Sequence, residues 1–198
     1  MRNSPNEKLL DEKEAGRWLA EILHRKASLK IGVYGSYYPA PELRRLERLR
    51  DALKSEGYTQ TYLVKNLPDL TDFRDDFDKS VFALERSNVN LFILTFKGQK
   101  QGAVRELDYV LRNPKHVFKC TVFIEKEAAT SRGKLSEGKR RRCITTLLED
   151  DLRAVNMRVA EFDQEDNNDD ELLAMVRGTL LDYLYYFLRN RPEDLKEG

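Results

Sequence analysis

Asn90-Leu91-Phe92-Ile93-Leu94-Thr95-Phe96 decides the fold. It is the strongest strand signal in the chain. Its apolar residues run on without polar alternation, as they do in strands buried on both faces of a parallel sheet. A parallel strand needs a crossover on each side, usually a helix. Both crossovers can be read. Upstream, a helix is expected from about Arg74 to Arg86. Downstream, Gly98 to Gly102 is a polar loop, and Ala103 to Arg112 reads as a helix closed by Asn113-Pro114.

The same alternation extends outward. Lys30-Ile31-Gly32-Val33-Tyr34 is a short apolar run that stops at Gly35 and reads as the first strand. Pro39 and Pro41 follow, then a helix from about Glu42 to Ser55, ended by Gly57. Thr59 to Val64 is β-branched and aromatic, hence a second strand. A polar loop from Leu67 to Asp72 leads into the helix before the central strand. Further on, Val117 to Glu125 reads as a fourth strand, Ile144 to Val155 as a helix and Met157 to Phe162 as a fifth strand. An acidic loop, Asp163 to Asp170, precedes a last helix from Glu171 to Asn190.

Strands alternating with helices imply parallel βαβ units with right-handed crossovers. The expected fold is a flavodoxin-like (Rossmannoid) three-layer α/β sandwich. Its five-stranded parallel sheet takes the order 2-1-3-4-5, with extra N- and C-terminal helices. Residues 1–28 form an N-terminal helical extension, amphipathic over 8–27 through Leu9, Leu10, Trp18, Leu19, Ile22 and Leu23. Residues 29–198 form a single nucleotide-binding-like domain.

Composition narrows the function classes. Of 198 residues, 35 are basic and 34 acidic, so no global field draws the chain to nucleic acid or anionic lipid. A nucleic-acid partner is therefore not expected, although Lys139-Arg140-Arg141-Arg142 closes a basic stretch over 134–142. No run approaches the ~20 apolar residues of a membrane span, and the N-terminus carries no apolar signal core, so a cytoplasmic protein is expected. Cys120 and Cys143 cannot make a disulfide framework, and Cys120 reads as a buried small hydrophobe. His24 and His116 lack metal-ligand spacing, so no metal and no cofactor is expected. The last helix is apolar on almost every side, which demands burial on more than one face. It points to a homo-oligomer formed through the N- and C-terminal helices.

Topology alone selects a candidate site. Open parallel sheets bind ligands beyond the carboxyl ends of strands where the strand order reverses. In the order 2-1-3-4-5, the loops after the first and third strands face each other there. They are Gly35-Ser36-Tyr37-Tyr38 and Lys97-Gly98-Gln99-Lys100-Gln101-Gly102. Gly35 admits close backbone approach, Ser36 adds a hydroxyl, and helix-start amides suit an anion. An ordinary strand-to-helix turn would need the same glycine. Tyr37 and Tyr38 suit base stacking or packing under the loop. Glu106 lies early in the next helix, where a carboxylate suits a nucleophile, a base or a sugar-hydroxyl ligand, or simply the helix dipole. The acidic cluster Asp72, Asp75, Asp76 and Asp78 suits a capped helix start, or a carboxylate for the cleft.

Three segments taken together resemble a known group. They are Val33-Tyr34-Gly35-Ser36, Ser87-Asn88-Val89-Asn90-Leu91-Phe92-Ile93-Leu94 and Gly102-Ala103-Val104-Arg105-Glu106-Leu107. Over roughly residues 29–125 the chain looks like the nucleoside 2-deoxyribosyltransferase superfamily, which includes nucleotide N-glycosidases. It is also similar to related nucleotide-sensing Rossmann-like domains and, distantly, to TIR-like domains. The resemblance implies N-glycosidic chemistry on a nucleoside or nucleotide, NAD included. Glu106 would act on the sugar, with Gly35, Ser36, Tyr37, Asn88, Lys97, Lys100 and Gly102 binding substrate. The chain departs from the pattern at two places. Asn88 stands where the family has an aspartate, and Lys97-Gly98-Gln99-Lys100-Gln101 lacks the family's loop carboxylate. Those departures suit a phosphorylated substrate, or a non-catalytic nucleotide-sensing or TIR-like module working as an oligomer.

Overall fold

The computed structural model describes residues 12–67, 73–126, 143–163 and 169–189. An N-terminal helix, α1 (Glu12–Ser28), precedes β1 (Ile31–Gly35), α2 (Ala40–Ser55), β2 (Thr61–Leu63), α3 (Asp76–Arg86) and β3 (Val89–Leu94). Then come α4 (Gln101–Arg112), β4 (Cys120–Lys126), α5 (Thr146–Ala154), β5 (Arg158–Asp163) and α6 (Asp170–Arg189). The sheet has five parallel strands in the order β2-β1-β3-β4-β5. The flavodoxin-like expectation is met.

Strand period 2 divides the core between the two faces. Ile31, Val33, Leu91, Ile93 and Phe123 point to one face, where they meet Leu46, Leu49 and Leu53 of α2 and Leu172, Val176 and Leu180 of α6. Tyr34, Phe92, Leu94, Val122 and Ile124 point to the other, under Ala83 and Leu84 of α3, Leu107 and Val110 of α4 and Leu152 of α5. The register pairs Tyr34 with Phe92, and their rings stack 4.7 Å apart. Each such side chain, fully buried, contributes about 1.5–3 kcal/mol by leaving water. Every residue of β3 is buried, as its unbroken apolar run requires.

Three boundaries differ from the sequence expectation. Thr59 and Gln60 are turn rather than strand, and their side chains donate to the Ala27 carbonyl at 3.0 and 3.2 Å. Val117 is not in β4: Pro114 opens a 3-10 turn, Pro114–Lys119, which buries Val117 and delays the strand to Cys120. Gln101 and Gly102 belong to α4 rather than to the loop before it. The basic run at Lys139 to Arg142 lies outside the described residues.

Both cysteines are buried and free. Among the described residues no helix is long and apolar enough to cross a membrane. α6 buries Leu172, Val176, Thr179, Leu180, Tyr183 and Leu184, while Leu181 and Tyr185 stay exposed. On α1, Trp18, Leu19 and Leu23 are likewise exposed.

Candidate functional site

At the switch point the loop after β1 meets the loop after β3. The Gln99 amide donates to Ser36 Oγ at 2.8 Å and reaches the Tyr38 carbonyl at 3.2 Å. Ser36 Oγ also donates to the Tyr38 carbonyl and accepts from the Tyr38 amide at 3.2 Å. Gly98 fits because it has no side chain: a Cβ there would lie 2.7 Å from both Ser36 Cβ and Thr95 Oγ1. At Gly35 a Cβ would lie 2.9 Å from the Ile93 carbonyl oxygen. Both glycines are therefore set by close approach between β1, β3 and their loops.

Behind this junction stands a buried ion network. Arg45 of α2 donates to Glu42 and to Asp169 at the foot of α6, each at 2.7 Å. Thr95, just after β3, donates to the same Glu42 oxygen at 2.7 Å. Glu42 and Arg45 are almost fully buried, and the network ties α2, the end of β3 and α6 together.

On the α3/α4 face a cleft of about 550 Å³ opens beside the two loops. Gly35 to Tyr38 form one wall. Gln101 to Glu106 of α4 form another, Asp76 to Ser80 of α3 a third, and Val64 and Lys65 close the end. The first turn of α4 contributes helix-start amides, which lack partners within their own helix and favour anions.

Glu106 projects into this cleft from α4. Leu107 and Val110, on the adjoining face, are fully buried against the sheet and fix its direction. Its carboxyl is pushed up from 4.5 to about 7, because burial penalises the charge, while the nearby Ser80 side chain pulls the other way. Among the described residues no cation is ion-paired with Glu106. A carboxyl with these properties changes charge near neutral pH, which suits general acid–base work or nucleophilic attack.

Aromatic and basic groups surround it. Tyr37 is half-buried, its phenol pushed up to about 12 by burial, and its hydroxyl oxygen accepts from the Lys65 amide at 3.3 Å. Tyr38 is exposed on the rim. Arg105 lies 4.1 Å over the Phe77 ring and 3.9 Å from Asp75. Asp75 caps α3 by accepting from the Asp78 amide at 2.8 Å, so the acidic cluster is partly helix-start chemistry, while Asp76 faces the cleft.

Of the residues singled out from the sequence, the structure gathers Gly35, Ser36, Tyr37, Gly102 and Glu106 around one cleft. Three others do not line it. Asn88 precedes β3 and sits at the amino edge of the sheet, where its side chain accepts from the Lys30 amide at 2.9 Å. It is a strand length from the cleft. Lys97 and Lys100 are not among the lining residues. Lys97 is exposed beside Glu125, and the Lys100 ammonium turns back to the Phe96 carbonyl at 3.4 Å. The basic groups on the cleft are instead Lys65, Lys79 and Arg105. Sequence reasoning missed Lys79 and Ser80. Their available signal was helical phase: both are polar, yet they stand on the inward side of α3 with Ala83 and Leu84.

No protein-family model matches the chain, and no curated protein sequence matches it significantly. Among the described residues no cluster of three or more histidines, cysteines or carboxylates could hold a metal ion.

Proposed function

We propose that this protein acts on the N-glycosidic bond of a nucleotide, with Glu106 as the group that meets the sugar. One observation carries the reading. A desolvated carboxyl, free of cationic partners among the described residues, projects from the second turn of α4 into the switch-point cleft. Breaking an N-glycosidic bond builds oxocarbenium character on the sugar, and a carboxylate beside it stabilises that charge or captures it as a glycosyl ester. The departing base takes the bonding electron pair and a proton. Water or a second base then takes the sugar. Tyr37 suits the base, and the α4 amides with Lys65, Lys79 and Arg105 suit a phosphate.

The sequence resemblance to nucleoside 2-deoxyribosyltransferases supports the same chemistry. Two buried thiols suit the cytoplasm, where such substrates are abundant. The exposed apolar residues of α1 and α6 support assembly into a homo-oligomer through those helices.

The test pairs binding with turnover. Nucleoside monophosphates and NAD are titrated calorimetrically into wild type and Glu106→Gln, and the same mixtures are assayed for released base or nicotinamide. Release by wild type alone, with binding kept in both, supports the proposal. Binding without release by either protein favours the alternative, a nucleotide-sensing module.

A further inference from the structure

Lys65, Lys79 and Arg105 line the cleft, and their surroundings separate them. Lys65 is drawn to Glu47, 3.8 Å away, and lies 5.7 Å from the Tyr37 ring centre. Lys79 is 6% exposed and already engaged. Arg105 differs. Its side chain is 61% exposed, and its guanidinium carbon lies 4.1 Å over the Phe77 ring. Phe77 is held in turn by Tyr109, edge to face at 6.4 Å. The carboxylate beside Arg105 is Asp75, 3.9 Å away, which is too far for a hydrogen bond. Both side chains are open to water, where such a pair contributes little. Asp75 is also committed to the α3 cap through the Asp78 amide. Among the described residues the Arg105 guanidinium makes no hydrogen bond.

A planar cation lying on an aromatic ring has one face covered and its edge free. That edge carries the N–H donors, spaced to take two phosphate oxygens at once. Glu106 follows Arg105 directly on α4, and consecutive helical residues point about 100° apart. The guanidinium edge therefore stands beside the carboxyl, on its α3 side, while Tyr37 belongs to the β1-loop wall. We infer that Arg105, seated on Phe77, makes this cleft select phosphorylated nucleosides over free ones: its guanidinium edge takes the phosphate, with the sugar at Glu106 and the base toward Tyr37. The inference rests on the nucleotide reading above, but not on cleavage of the bond.

Adenosine, cytidine, guanosine and uridine 5′-monophosphates, and the same nucleosides without phosphate, are titrated calorimetrically into wild type, Arg105→Ala, Arg105→Lys and Phe77→Leu. Wild type should bind a monophosphate about 10- to 100-fold more tightly than its nucleoside. Arg105→Ala should lose that preference, with nucleoside affinity kept within about twofold because only the phosphate contact is gone. Arg105→Lys keeps the charge without the planar fork and should recover only part of the preference. Phe77→Leu removes the seat and should weaken monophosphates alone. A preference that survives in Arg105→Ala, a loss shared equally by the nucleosides, or a wild type without preference would overturn the inference. Base release is assayed in the same mixtures. Phosphate selection through Arg105 without release leaves the inference standing and sinks the N-glycosidic reading. Release with a phosphate preference independent of Arg105 does the reverse.

Discussion

The Gln99 amide donates to the Ser36 hydroxyl at 2.8 Å, joining residues 63 positions apart. That bond makes one platform of the β1 and β3 loops. With its other two bonds to Tyr38, Ser36 Oγ is fully engaged within the protein. Ser36→Ala is therefore expected to lower stability by about 1–2 kcal/mol. The loss should appear as a lower denaturation midpoint in urea with an unchanged slope. Nucleotide affinity should fall only as far as the loops loosen.

Gly98, in the loop after β3, and Gly102, in the first turn of α4, should respond in opposite ways. Gly98→Ala forces a Cβ to 2.7 Å from Ser36 Cβ and Thr95 Oγ1 and should destabilise the fold by about 1–3 kcal/mol. Gly102 lies in α4 with nothing within 4 Å of an added Cβ, so Gly102→Ala should be neutral or stabilising by up to about 1 kcal/mol. Thermal melts of the two variants beside wild type check both.

Arg45 compensates two carboxylates, Glu42 and Asp169. Removing it with Arg45→Met strands Glu42, which is 3% exposed, and should cost about 3–5 kcal/mol. The double variant Glu42→Gln with Arg45→Met should recover much of that loss. Chemical denaturation of the single and double variants measures the coupling.

How much of this was legible beforehand differs between fold and site. The strand order could be read because β3 is an unbroken apolar run flanked by helical segments. Order 2-1-3-4-5 then brought Gly35-Ser36 to the Gly102–Glu106 segment without reference to any motif. What failed was direction. Asn88 lies next to a strand pointing at the site, yet it occupies the strand's far end. Six residues at about 3.3 Å each separate the two edges of the sheet. Lys97 and Lys100 belong to the right loop, but a loop has no period from which to read where a side chain points. Ser80 was hidden for a different reason. It lines the cleft from a neighbouring helix, and only tertiary packing of α3 on α4 brings it to the same cleft as Glu106.

Glu106 should also weaken the fold as pH rises. Its folded value, about 7, lies above its ordinary 4.5. Between those values the native state holds a proton that the unfolded chain has released, so stability is greatest below about pH 4.5 and is lost as pH climbs through 7. At about 1.4 kcal/mol per unit the penalty above pH 7 is at most about 3 kcal/mol. Glu106→Gln should remove it, leaving the variant more stable than wild type at pH 8 and close to it at pH 5. Urea midpoints at the two pH values test this.

Base release from nucleoside monophosphates and NAD, measured against pH in wild type and Glu106→Gln, bears most directly on the role of Glu106. The expected result is release by wild type that rises through about pH 7 as the carboxyl ionises and then levels. In Glu106→Gln release should fall at least about a thousandfold while nucleotide binding is kept. Equal release by both proteins, or a wild-type profile that does not change across pH 7, would contradict a role for Glu106 in the chemistry.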